Sequence, residues 1–144
     1  MVVAHSEVVR AFVRGENAEG SRMFSENGIV YSYGHHFPIA IRTAWGYIFN
    51  KDGYSSSTAK HKNYVLYAIT NHFSEVIHLT GCNEGYVEET YRENLKEIEE
   101  TMAKMKRART ENSKERHEDR INFLFRQNEL LKKRYLKELF VEKL

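Results

Sequence analysis

Cysteine is almost missing from this sequence: Cys82 stands alone among 144 residues. An internal disulfide is excluded, and so is a zinc or iron–sulfur site built from several cysteines. Such a chain suits a reducing compartment, so a cytoplasmic location is expected. Pro38 is the only proline, and no glycine follows Gly85, so residues 86–144 carry none of the usual helix breakers. Asp52 and Asp119 are the only aspartates, which removes the acidic cluster of a metal nuclease. No apolar run approaches the ~20 residues of a membrane span. The N-terminus lacks the basic segment, apolar core and small-residue site of a secretory leader. No membrane partner and no cofactor is expected. Net charge is scarce as well, at +2. A protein that wraps a duplex is usually more basic, so any nucleic-acid surface here has to be a local patch.

Hydrophobic residues make up 41% of the chain and charged residues 29%, the balance of an ordinary folded protein. All eight glycines lie in residues 1–85. The change in composition there predicts a small α+β domain over 1–85 and a helical extension over 86–144. The expected fold class is therefore α+β, a small antiparallel β-meander packed on one helix and followed by a long antiparallel helical hairpin.

Residues 7–14, with Val8, Val9, Ala11, Phe12 and Val13, read as a short strand, with a helical turn as the alternative. Asn27-Gly28 between apolar runs signals a hairpin, because both residues tolerate positive φ. Ile29, Tyr31 and Tyr33 alternate with Val30 and Ser32, as in a strand with one face buried. Further strands are expected after Pro38 and over Trp45–Phe49, and the short connections favour an antiparallel meander. From Ala59 the apolar period becomes helical, predicting a helix over about 58–71. Val76, Ile77 and Leu79 suit a last short strand, and residues 80–85 a linker.

In the tail, Tyr91, Leu95, Ile98, Met102 and Met105 repeat at heptad spacing, and so do Ile121, Leu124, Asn128, Leu131 and Tyr135. Residues 108–113 between them lack apolar bulk and can turn. One uninterrupted helix is the competing arrangement. Phe125, Leu136, Leu139 and Phe140 widen the apolar stripe beyond one seam, which points to a homo-oligomer through 86–144 or to another protein partner. Asn128 at a core position suits register control.

The segment Tyr54–His61 carries the strongest chemical signal. Ser57 or Thr58 can cap the following helix. The free N–H groups of that helix start, its dipole and Lys60 suit an anion. The Gly-x-x-x-x-Gly-Lys frame of a P-loop is absent. A cap with solvated side chains is the simpler use of the same residues. His36 follows Gly34 at a strand end, and with His61 it offers an acid–base couple for a metal-independent phosphodiesterase or nuclease. Adjacent His35 and His36 point to opposite faces of an extended chain and suit no common metal. Arg22, Arg42, Lys51 and Lys62 add positive charge, while Tyr33, Trp45 and Tyr54 offer rings for stacking bases. Filling a small core is the plainer role for those aromatics. His72, His78, Cys82 and His117 match no zinc-finger spacing.

Asn27 to Ala40, with Tyr31-Ser32-Tyr33-Gly34 and His36-Phe37-Pro38, followed by Tyr54-Ser55, Ser57-Thr58 and Lys60-His61, resembles small proteins carried by phages, archaeal viruses and plasmids. The resemblance covers about residues 27–69. It implies a mobile-element accessory protein, brings no established activity, and carries over Tyr33, His36, Pro38, Thr58, Lys60 and His61. The helical tail departs from the pattern. Together these readings lead to the expectation of a non-catalytic nucleic-acid-binding or regulatory interaction protein of a virus or mobile element, in which Thr58, Lys60, His61 and His36 form one polar surface. A protein–protein module whose tail binds a host or viral partner and a small nuclease are the alternatives, and a viral source would place the protein in the host-cell cytoplasm.

Overall fold

A computed structural model describes residues 2–53, 55–71 and 75–136. The chain forms two compact units, Met1–Glu84 and Gly85–Leu144. Among the described residues no helix is long and apolar enough to cross a membrane.

The first unit opens with helix α1 (His5–Arg14) where a strand was expected at 7–14. The correction has a simple physical cause. Val8, Val9, Ala11 and Phe12 fall at helical spacing, so one face of a helix buries all four while Glu7 and Arg10 stay outside. A strand would have sent half of them to solvent. Gly15 ends the helix at φ +78°, its N–H donating to the carbonyls of Ala11 and Phe12.

The strands β1 (Ala18–Glu19), β2 (Met23–Glu26), β3 (Ile29–Ser32), β4 (Pro38–Arg42), β5 (Gly46–Asn50) and β6 (Glu75–Leu79) form one six-stranded sheet in sequence order. The first five are antiparallel, as the short loops predict. Asn27 at φ +54° and Gly28 at φ +80° make the two-residue turn between β2 and β3. The last strand departs from the meander. Helix α2 (Ser56–Thr70) carries the chain back along the sheet, so β6 joins β5 in parallel. The face of the sheet under α1 and α2 holds the core, with Phe12, Met23, Val30, Phe49, Val65 and Ile69 buried. On the other face the 3-10 turn Thr80–Cys82 lies against β4 and β5. The Cys82 thiol sits 3.6 Å from the Ile39 carbonyl oxygen, and burial pushes its pKa up to about 12. That cysteine is inert at neutral pH.

The second unit is the expected hairpin. Helix α3 (Val87–Arg107) and helix α4 (Glu111–Leu131) are joined by residues 108–110, and a π-helical turn, Lys132–Leu136, follows. Thr110 caps α4 by accepting from the Ser113 N–H at 3.1 Å. Ile121, Leu124, Asn128 and Leu131 line the α4 seam as the spacing predicts. On α3 the seam is instead Val87, Thr90, Asn94, Ile98 and Thr101. Leu95 and Met102, expected inside, are exposed. The reason is a polar pair. Asn94 donates to the Asn128 side-chain oxygen at 2.9 Å, and Asn128 donates to the Tyr91 carbonyl at 3.2 Å. Turning Leu95 inward would have left a buried amide unpaired. Leu139 and Phe140 lie outside the described residues.

Gly15 also supports Arg42, whose guanidinium nitrogen would stand 1.9 Å from a Cβ added at position 15. Gly15→Ala is therefore expected to lower stability by about 1–3 kcal/mol, through the left-handed backbone and the displaced arginine, read from urea unfolding. In the hairpin, Asn128→Ala is expected to cost about 1–3 kcal/mol, whereas leucine at both 94 and 128 is expected to be near neutral. Equal losses in the single and double variants would show that the amide pair does not set the seam.

Candidate functional site

The first turn of α2 is tied to the end of β3 by hydroxyls and one imidazole. Ser55 is the N-cap, in place of the expected Ser57 or Thr58. Its backbone is extended, and its hydroxyl oxygen accepts from the Thr58 N–H at 3.1 Å. The Ser55 hydroxyl also donates to the Thr58 hydroxyl at 3.0 Å. Thr58 lies 3.1 Å from the Ser32 hydroxyl, which in turn lies 2.8 Å from Nδ1 of His61. Thr58 is 0% exposed and His61 3%, so this network is interior. The His5 ring from α1 meets His61 edge-on at 4.8 Å, and the Tyr33 ring lies 5.5 Å away. Burial lowers the His61 pKa, and the His5 and Arg22 charges lower it further.

The residues singled out in the sequence therefore divide. Tyr33, His36, Ser57, Thr58, Lys60, His61 and Lys62 gather at one end of the sheet, where β3 ends and α2 begins. Thr58 and His61 point inward, while Lys60 is exposed and Ser57 half-buried. One polar surface made of all four expected residues is thus not what forms. Lys62 reaches back instead, donating to the Asp52 carbonyl at 2.6 Å and lying over the Phe49 ring at 5.3 Å. Burial lowers its pKa. Arg42 and Trp45 sit at the opposite end of the sheet, since Arg42 follows the Ile41 that pairs with the first residue of β3. Tyr54 lies outside the described residues, as does His72. Among the described residues no three His, Cys, Asp or Glu side chains cluster to hold a metal ion.

A second arrangement appears on β2 and β3, on the side of the sheet turned away from α1 and α2. Because Val30 and Ser32 point inward, Tyr31 points outward. It stacks on Phe24, with ring centroids 4.8 Å apart and planes 19° apart. His35 stands edge-on to both rings at 5.0 Å, and its Nε2 is 3.4 Å from the Glu26 carboxylate. Burial, with the Glu26 charge behind it, raises the Tyr31 pKa. Beside the rings is a cleft of about 630 Å³, lined by Arg22, Phe24, Glu26, Tyr33 and His35 among others. Tyr33 is exposed at its rim and holds φ +67°, a strained value for a non-glycine residue. Its N–H donates to the Arg22 carbonyl at 2.7 Å.

Phe24 was missed as a site residue, although its signal was present. A two-residue turn at Asn27-Gly28 sets Phe24 opposite Tyr31. Arg22, one of the basic residues expected to meet phosphate beside the rings, lines the cleft together with Phe24. Comparison with protein-family models, with curated proteins and with solved structures gave no match.

The buried imidazole makes stability depend on pH. Its folded pKa lies below the ordinary histidine value near 6.5, so the unfolded chain binds the extra proton first as pH falls. Stability is expected to be full above about pH 6.5 and to decline below it, toward the depressed folded pKa. His61→Gln should flatten that decline in melts taken between pH 7.5 and 5. Ser32→Ala should cost about 1–3 kcal/mol by leaving the ring nitrogen without its partner.

Proposed function

We propose that the chain is a non-catalytic nucleic-acid-binding protein, which takes a single strand across β2 and β3 on the side turned away from α1 and α2. The observation that carries this reading is the Phe24–Tyr31–His35 ring cluster beside the 630 Å³ cleft. Flat rings on a sheet surface stack bases without regard to sequence, and every unpaired base has a π-face to offer. Tyr33 at the rim adds a ring, and Arg22 supplies one charge for phosphate. Glu19 and Glu26 in the same lining favour the amino edges of bases over a continuous phosphate track. A single strand suits this better than a duplex, because the chain carries only +2 net charge. Catalysis by a His36–His61 couple is disfavoured, since the His61 ring is buried and bonded to Ser32. The viral or mobile-element origin rests on the resemblance of residues 27–69 alone. Self-association through 86–144 belongs to the same reading, as does a cytoplasmic location.

A protein–protein module is the second reading, and the exposed Leu95, Met102 and Phe125 of the hairpin favour it. Fluorescence anisotropy with single- and double-stranded DNA and RNA over a salt series separates the two. Single strands are expected to bind more weakly as salt rises. Phe24→Ala or Tyr31→Ala should weaken binding by about 5- to 100-fold, as for a lost stacked base. Arg22→Ala should lower the salt slope by about one. No binding at ~50 mM salt, or binding indifferent to both ring variants, would transfer the function to the protein–protein reading.

A further inference from the structure

The hairpin leaves three large apolar side chains in solvent, Leu95 at 46% exposure, Met102 at 45% and Phe125 at 48%. Each follows a seam residue by one position: Asn94, Thr101 and Leu124. In two antiparallel helices, the residue just after the seam falls on the same side of both. The three therefore share one flank of the hairpin. Glu97 and Arg120, each just before a seam residue, define the other flank, and they are bonded there at 2.5 and 3.1 Å. One flank is closed by an ion pair, and the other is apolar and open.

Charge along α3 says what can cover that flank. Its first turn carries Glu88 and Glu89, and its last carries Lys104, Lys106 and Arg107. A second copy laid antiparallel, with its Met102 on Leu95, brings Lys106 of one copy opposite Tyr91 of the other, within about one helical turn of Glu88 on the same stripe and in reach of its long side chain. A parallel copy would put acid on acid and base on base. The Glu88–Arg92 contact within the helix is a long one at 3.9 Å between exposed groups, so it offers little resistance to re-pairing.

We infer that two copies of this chain pair through α3 in antiparallel fashion, with Leu95, Met102 and Phe125 at the centre and Glu88–Lys106 contacts at both ends. This rests on the reading that the chain self-associates, and adds which face does so and in which direction. A 21-residue helix is about 31 Å long, and a hairpin is roughly 20 Å wide. The face then offers on the order of 600 Å² per copy, below the ~800 Å² of a standard stable interface, so micromolar affinity is expected.

Sedimentation velocity of the full chain from 1 to 100 µM tests self-association, and thiol crosslinking tests the face. The expected result is a monomer–dimer equilibrium with its midpoint in that range. Leu95→Glu with Met102→Glu should be monomeric at 100 µM while keeping the helical circular dichroism of the parent. If that pair loses helix content, Lys106→Glu on the exposed rim serves instead. It should weaken the dimer at least fivefold, and Glu88→Lys added to it should restore the dimer. Glu88→Cys mixed with Lys106→Cys should crosslink through a short thiol reagent, and neither should crosslink alone. Cys82, buried and with its thiol pKa near 12, does not compete. A monomer throughout the range would end the self-association reading and this inference with it. A dimer that survives the Leu95, Met102 and Lys106 changes would overturn only the face. Glu88→Cys crosslinking to itself would overturn the antiparallel direction.

Discussion

A buried imidazole needs a partner, and the pairing of His61 with Ser32 is the constraint on which the first unit depends. Their 2.8 Å contact requires Ser32 to point toward α2. Side chains alternate along a strand, so an inward Ser32 places Val30 inward and Tyr31 outward. That one choice of phase delivers Val30 to the core and Tyr31 to the stacked pair on the side turned away from α1 and α2. The same contact holds α2 across the sheet. From there the chain returns to pair β6 beside β5 in the parallel sense. The polar core and the candidate binding face are two sides of one strand.

The hairpin follows the same rule with amides in place of hydroxyls. The Asn94–Asn128 pair sits among Ile98, Ile121 and Leu124, where an unpaired amide would be costly. Satisfying it rotates α3 so that Thr90 and Thr101 join the seam and Leu95 and Met102 leave it. The apolar flank thus follows from internal polar satisfaction. Every buried side-chain nitrogen and oxygen among the described residues has a partner. Polar pairing of this completeness selects one register among several that hydrophobic area alone would permit.

For function, the polar residues that look most reactive in the sequence serve structure. Ser32, Thr58 and His61 form a chain of hydrogen bonds with little access to solvent. The side chains turned outward are aromatic and less conspicuous: Phe24, Tyr31, Tyr33 and His35. A mutation at His61 would then change stability first, whereas one at Phe24 would test the surface. With no match among known proteins to weigh against it, the functional reading stands on that surface chemistry and on the resemblance of residues 27–69.

The sequence by itself determined the elements whose causes are local. The Asn27-Gly28 turn, the strands on either side of it, α2 within a few residues and both tail helices follow from turn chemistry and apolar period. The α+β class and the helical hairpin were legible for the same reason. Residues 7–14 were ambiguous because five apolar residues crowd a short run, and burial against the sheet decided for the helix. Only the tertiary structure decided what depends on partners distant in sequence. Ser55 caps α2 while Thr58 turns inward, because a hydroxyl on β3 is there to receive it. Arg42 lies over Gly15 at the far end of the sheet from Lys60, because strand pairing converts positions along the chain into opposite edges. Leu95 was expected inside, because heptad spacing does not say which of two offset stripes faces the other helix. The amide on Asn128 settles that choice by pairing with Asn94, 34 residues away in the chain.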